Sequence, residues 1–238
     1  MKYQAILFDL DGTLLPMDEP TFIKCFYGIL VPYVTPAGKS HGEIGEMLRH
    51  SLGHVIANDG SRTNEQAFIE FYEDYGRRHN CVFELDKIEE FYATVFDREV
   101  RASCGYDPVA ADVISYIKGI GIPVVLATNP FFPRIATRVR LGWAGLDPND
   151  FAAITTYEDC HYCKPNLMYY RELFERTGYD PAKCLMVGNN VAEDMIAAQL
   201  GCDVYLITRN LINPAQADVN AYKHGDLSSL LTYLQSNT

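Results

Sequence analysis

No apolar stretch near the start of this sequence approaches the roughly 20 residues that a membrane-spanning helix needs. The first run, Ala5 to Phe8, is stopped after four residues by Asp9, too short also for the apolar segment of a secretion signal. The expectation is a cytoplasmic protein with no membrane partner. Basic residues are scarce: 20 Lys and Arg stand against 31 Asp and Glu, a formal charge of −11. Such a surface repels a polyphosphate backbone, and no basic stripe interleaved with aromatics offsets it, which excludes nucleic acid as a partner. A regular cysteine framework is lacking too. The seven cysteines are odd in number and scattered, so free thiols in a reducing compartment are expected rather than disulfides. Internal repeats and low-complexity segments are absent.

What is present suits a globular fold. With 48% hydrophobic and 21% charged residues over 238 positions, the chain can bury the core of one large domain, or of one domain and a smaller lobe. Four short apolar runs read as buried parallel strands: Ala5 to Phe8, Pro123 to Ala127, Cys184 to Val187 and Val204 to Ile207. Each stops at Asp9, Thr128, Gly188 or Thr208, and helical stretches lie between them. One such helix is announced by Asp107-Pro108, carries Val109, Val113, Ile114 and Ile117 on one face, and ends at Gly119 or Gly121. Alternating strands and helices of this kind predict an α/β fold, a parallel sheet covered on both faces.

Residues 17–101 behave differently. Four successive segments have helical periodicity and no convincing strand lies among them; examples are Ile44, Met47, Leu48, Val55 and Ile56, then Ala67, Phe68, Phe71, Tyr72 and Tyr75, then Ile88, Phe91, Tyr92, Val95 and Phe96. Asp86 with Glu89 three residues on resembles a capping box. The division expected is a core of residues 1–16 and 102–238 with an all-helical lobe, 17–101, inserted after the first strand; Pro16 and Ser103 to Asp107 are the candidate hinges.

The chemistry concentrates at strand ends. Phe8-Asp9-Leu10-Asp11-Gly12-Thr13 aims two carboxylates at one spot, able to supply a nucleophile and an acid or base if their environments differ. Gly12 lets the backbone approach an anion closely. An apolar strand followed by this DxDGT pattern resembles the first motif of the haloacid dehalogenase (HAD) superfamily, and further segments resemble its remaining motifs in order. Val124 to Asn129, a strand ending in a hydroxyl, looks like the second; Lys164 in Cys163-Lys164-Pro165-Asn166 looks like the third, with Pro165 starting a helix directly after the lysine; Leu185 to Asp194 looks like the fourth. Within that last segment Asn190 and Asp194 are four apart, as are Asn189 and Glu193, so each pair would share a face if the segment entered a helix. Where family members usually carry a metal-binding aspartate, the spacing puts Asn190.

The resemblance covers the whole chain and implies a Rossmann-like three-layer α/β/α core with a C1 cap. It further implies a magnesium-dependent phosphatase acting on a small phosphorylated metabolite through an aspartyl-phosphate. Asp9 would be the nucleophile, Asp11 the acid and base with a pKa raised towards neutrality, and Lys164 the neutralising cation; Leu10, Gly12, Thr128 and Asn129 would hold the phosphoryl oxygens. Mg2+ would be bound by Asp9, the Asp11 main-chain carbonyl, Asn190 and Asp194, more weakly than by a set with one more carboxylate, so that Asn190→Asp is expected to tighten it. Asp11 argues against the dehalogenase branch, which needs no leaving-group acid. A phosphomutase of the same fold and a non-catalytic phosphometabolite-binding protein are the alternatives.

Other patterns carry less. Cys160-His161-Tyr162-Cys163 has the spacing of half a zinc site but no second pair. Gly38-Lys39-Ser40 resembles the end of a P-loop, yet Tyr33 stands where its first glycine belongs. The lobe's aromatics are read as core, and Arg49, His50 and His54 as a solvated helix face.

Overall fold

The computed structural model describes residues 2–82 and 84–237. Six parallel strands form one sheet: β1 (Ala5–Phe8), β2 (Val124–Leu126), β3 (Ala153–Ile154), β4 (Cys184–Gly188), β5 (Asp203–Ile207) and β6 (Lys223–Gly225), in the order β3-β2-β1-β4-β5-β6. Strand β1 is central because it is apolar throughout and pairs on both sides, Phe8 lying between Leu126 and Val187. Alternate residues point to opposite faces. Ile6, Phe8, Leu126 and Val187 join one core cluster, while Ala5, Leu7, Val125 and Met186 join the other. Both faces are thus buried, which is why the central strands are unbroken apolar runs.

Helices complete the layers. On the first face lie α6 (Val109–Gly119) and α9 (Leu227–Asn237), through Val113, Ile117, Leu230 and Leu234; on the second lies α8 (Leu167–Thr177), through Tyr169, Tyr170 and Leu173. The start of α6 falls one residue later than expected: Pro108 is its N-cap, and Asp107 Oδ1, accepting from Val109 N at 3.1 Å, turns the chain just before it. The α/β/α architecture expected from the strand pattern is present. Two strands escaped that pattern. β3 has two residues, and β6 reads Lys-His-Gly; at the sheet edges neither needs an apolar run.

Between β1 and α6 the chain forms five helices, α1 (Glu19–Val34), α2 (His41–Ile56), α3 (Asn64–His79), α4 (Leu85–Thr94) and α5 (Phe96–Val100). Their start signals differ from the expected one. Leu85 is already helical and Glu84 makes no side-chain cap, so Asp86 falls inside the first turn and is not a cap. Complete capping boxes form instead at Ser40 with Glu43 and at Thr63 with Gln66. Ser40 of the P-loop-like tripeptide is therefore a helix cap. The two connections to the core run side by side, with Met17 bridged to Cys104 and Gly105 N donating to Pro16 O at 2.7 Å.

The cap is closed onto the core by polar contacts as well as rings. Trp143 of α7 (Arg134–Trp143) stacks near Phe96 and donates to Asp97 at 2.6 Å. Asn64, fully buried, donates to Pro130 O at 3.0 Å and accepts from Asn58 Nδ2 at 3.0 Å, while its own N–H donates to Cys160 O. A buried amide with every partner in place is costly to disrupt. Asn64→Leu is expected to lower stability by about 1–3 kcal/mol, read by urea denaturation; an unchanged midpoint would show that the cap is held by its rings alone.

Candidate active site

The register that centres β1 also assembles the site, because the carboxyl ends of β1, β2 and β4 lie abreast where the chain crosses from one side of β1 to the other. Crevices of this kind are where open α/β sheets bind ligands. Asp9 N donates to Val187 O at 2.9 Å and Ala127 N to Phe8 O at 2.7 Å, so Asp9, Thr128 and Asn189 follow directly from paired strands.

Lys164 sits at the centre. Its side chain is fully buried, and Nζ lies 3.1 Å from Asp9 Oδ1 and 2.6 Å from Asp194 Oδ1. Burial opposes its charge, yet Asp194 and Asp9 outweigh that and hold the ammonium well above the ordinary lysine range. Asn129 clamps the same segment, its Oδ1 accepting from Lys164 N at 3.1 Å and its Nδ2 donating to Lys164 O at 3.3 Å. The helix expected to start at Pro165 begins two residues later. Asn166 is its cap, accepting from Met168 N, so Pro165 lies in the approach to α8.

The loop after β1 is closed by Leu10 O, which accepts from Thr13 N and Leu15 N. Gly12 turns it at φ +85°, and a Cβ there would overlap the Asn189 carboxamide. Thr13 Oγ1 lies 3.2 Å from Asp9 Oδ2 and 3.1 Å from Asn189 Oδ1. The Thr128 carbonyl is anchored by Thr155 Oγ1 at 2.7 Å and Tyr169 OH at 3.0 Å, which leaves its side chain on the wall of a cavity between cap and core.

Asp11 is positioned by a residue the motifs did not indicate. Arg140 on α7, with no exposed side-chain surface, is ion-paired to Asp11 Oδ2 and stacks over Phe132 with its guanidinium carbon 4.3 Å from the ring centre. The other carboxylate oxygen, Asp11 Oδ1, is buried with no hydrogen-bond partner. Burial raises the Asp11 carboxyl above its usual range, against the opposing pull of Arg140. The signal was available in outline, since Arg140 stands four residues from Ala136 and three from Trp143 on the buried stripe of its helix. A charge on an apolar stripe calls for a partner.

The segment after β4 departs from expectation in its backbone. Residues 191–194 form turns, followed by a short 3-10 helix, Met195–Leu200; Asn190 and Asp194 lie together across one turn, Asp194 N donating to Asn190 O at 2.8 Å, but no regular α-helix continues from it. Asn190 Oδ1 instead accepts from Ala192 N and Glu193 N, within its own turn. Asp194 has both oxygens engaged, Oδ1 by Lys164 and Oδ2 by Asn190 N at 2.9 Å. A Cβ on Gly188 would overlap that carboxylate. Asn189 is the residue that reaches Thr13, with Nδ2 donating to Asn210 O at 2.6 Å, which turns its oxygen towards Asp9. Of the four oxygen donors expected for magnesium, then, the Asp9 carboxylate and the Asp11 carbonyl share the β1 loop, whereas Asn190 and Asp194 are occupied elsewhere. Asn189 Oδ1, which accepts from Thr13 Oγ1 at 3.1 Å, is a further oxygen turned towards the β1 loop. Among the described residues no three of His, Cys, Asp and Glu converge as a metal cluster. The Cys160 and Cys163 thiols are buried and pushed up by that burial, Cys160 to about 11.

Glu193 was paired with Asn189 by spacing alone; its carboxylate accepts from Asn129 Nδ2 at 3.0 Å, and burial raises it from 4.5 to about 7. Below pH 4.5 the group is protonated in folded and unfolded chains alike. As the pH climbs towards 7 the unfolded chain ionises first, so stability is lost through that window and the loss is complete above it. Glu193→Gln keeps the acceptor for Asn129 without the charge. Measured with chelator present, it is expected to exceed the parent in stability by on the order of 2 kcal/mol at pH 8 and to match it near pH 4.5; equal curves at both would refute the buried charge.

Among the described residues no helix is long and apolar enough to cross a membrane. A family model described as haloacid dehalogenase-like hydrolase matches residues 3–201. The chain is 26% identical over 202 residues to the pyrophosphatase PpaX of Bacillus cereus (strain AH820), covering 84% of this chain and 80% of that one. It is 25% identical over 205 residues to the bifunctional riboflavin kinase/FMN phosphatase of Arabidopsis thaliana, covering 85% of this chain and 48% of that one. Among solved structures, the HAD phosphatase of Thermococcus onnurineus shares the fold, with a TM-score of 0.61, 21% identity and 97% of each chain covered. On a match spanning most of its length, the chain belongs to the haloacid dehalogenase-like hydrolase family and is an enzyme of it.

Proposed function

We propose that this hydrolase is a magnesium-dependent phosphatase of a small phosphorylated metabolite, working through an aspartyl-phosphate on Asp9. The observation that carries the reading is the buried lysine shared by Asp9 and Asp194, two carboxylates that themselves line the cavity between cap and core. An ammonium held there, out of water, offsets charge on both the nucleophile and an arriving phosphoryl group. The names of relatives such as PpaX and the FMN phosphatase point the same way.

In the proposed reaction Asp9 attacks the phosphorus in line, and Thr128 with the amides of Leu10 and Asn129 receives the phosphoryl oxygens, while the Gly12 amide, donating to Leu15 O at 2.8 Å, holds the loop in shape. Asp11 gives its proton to the leaving alcohol oxygen as its bond to phosphorus breaks, then takes one from the water that attacks the aspartyl-phosphate, releasing phosphate and restoring the Asp9 carboxylate. Arg140 aims that carboxylate and, by its charge, limits how far burial raises it. The donor set of the Asp9 carboxylate, shared with Lys164 and Thr13, and neutral oxygens fits magnesium, a hard cation that retains several waters and takes oxygens from the substrate phosphate. Bound there, the ion would supply further charge neutralisation at the phosphoryl oxygens.

Asp9→Asn is expected to abolish phosphate release from 4-nitrophenyl phosphate while the circular dichroism spectrum stays that of the parent; residual turnover above about one part in a thousand would remove Asp9 as nucleophile. For the metal the informative position is Asn189. Asn189→Asp adds a charge beside Asp9 but gives up the donor to Asn210 O. It should lower the magnesium concentration for half-maximal activity by about tenfold, the equivalent of about 1.4 kcal/mol, and lower stability in chelator. Asn190→Asp, whose side chain caps its own turn, should leave that concentration unchanged. The opposite ranking would assign the metal to Asn190.

A further inference from the structure

We propose that the leaving group accepted by this site is an uncharged, apolar alcohol about the size of one ring, and not a carboxylate, a second phosphate or a sugar; this rests on the phosphatase reading above. The cavity over Asp9 has a volume of ≈ 200 Å³. An apolar cavity of roughly 150 Å³ holds a benzene, so the space above the phosphoryl position suits one ring and little more. Its walls are Phe22, Phe26, Phe68, Tyr92, Phe131 and Phe132. The part of α2 that faces it presents Leu48, Leu52 and Val55, with Ser51 among them already donating to Leu48 O. Arg49, His50 and His54, on the same helix, are not among the lining residues.

Charge decides the rest. Every ionisable carboxyl or base lining the cavity is acidic: Asp9, Asp11, Glu19, Glu193 and Asp194. At the phosphoryl end the cations are committed, Lys164 to Asp9 and Asp194 and Arg140 to Asp11 and the Phe132 ring; Arg49, whose charge reaches Tyr27 of the wall, stays outside the lining with its side chain largely in solvent. Among the described lining residues an anionic tail would leave water for a wall without Lys, Arg or His, and sugar hydroxyls would meet mainly aromatic and aliphatic side chains beyond the phosphoryl end. A ring loses nothing on transfer and gains contacts with the aromatic walls.

The test compares kcat/KM of the magnesium-loaded enzyme for benzyl phosphate, whose alcohol is no better a leaving group than an ordinary aliphatic one, with 2-phosphoglycolate, pyrophosphate and glucose 6-phosphate. The expected result is a preference for benzyl phosphate of at least about tenfold, with Leu52→Lys narrowing the gap to 2-phosphoglycolate. Equal or better turnover of an anionic or sugar ester overturns the inference and leaves the phosphatase reading standing. Should no ester turn over, the phosphatase reading fails, and calorimetry decides the pocket separately: tighter binding of benzylphosphonate than of 3-phosphonopropionate supports an apolar site, and the reverse order or no binding of either refutes it.

Discussion

Everything in the core of this molecule is arranged around one buried ammonium. Lys164 has no solvent, so it must be paired, and it is paired twice, with Asp9 from the end of β1 and Asp194 from the segment after β4. Breaking such a cluster by removing one member typically costs about 3–5 kcal/mol. The pairing also makes demands on the backbone. Gly188 has no Cβ to collide with Asp194, and Gly12 none to collide with Asn189. Asn129 fixes the lysine's own peptide, and the parallel register of β1 with β2 and β4 brings all these segments to one edge of the sheet.

A second buried pair, Arg140 with Asp11, ties chemistry to the cap. Arg140 rests on Phe132, and Phe132 packs edge-on against Phe22, Phe26 and Tyr92 of the cap helices. The carboxylate proposed to move the proton is therefore aimed by a side chain whose own seat includes the closed cap. Opening the cap would loosen that seat and admit water to the Arg140 and Asp11 charges together, lowering the attraction between them. Packing thus links the Arg140 and Asp11 pair to the cap helices.

How much of this could be read from residues alone depended on whether local pattern or long-range contact decided the position. Asp9, Thr128 and the run before Gly188 were legible because apolar strands end there, and the helical lobe was legible from its 3.6-residue period. Strands β3 and β6 were not, since edge strands of two and three residues have no buried face on both sides to select apolar side chains. Arg140 was hidden because a charged residue on a helix is ordinarily solvated, and only the fold places Asp11 opposite it. Asn189 and Asn190 differ through the turns over residues 191–194, which engage the Asn190 side chain and leave that of Asn189 to reach Thr13, a distinction that four-residue spacing does not carry. Proline favours first turns, which makes Pro165 look like a helix start, but Asn166 offers the capping side chain that proline lacks.

Asn189 shows why a neutral residue can be retained where a carboxylate would bind a cation better. Its Nδ2 donates to Asn210 O, while its main chain exchanges with the same stretch, Ile212 N donating to Asn189 O at 2.9 Å and Val191 N to Ile212 O at 3.0 Å. A carboxylate in that place would set two acceptors against each other beside Asp9, in a region that already holds Asp194 and Glu193. Unpaired acceptors out of water are expensive. With asparagine the loop after β5 is pinned to the active site without any ion, and the charge that remains around Asp9 is balanced chiefly by Lys164. The fold thus keeps its site assembled through hydrogen bonds and one shared cation, and the proposed metal acts on a framework already in place.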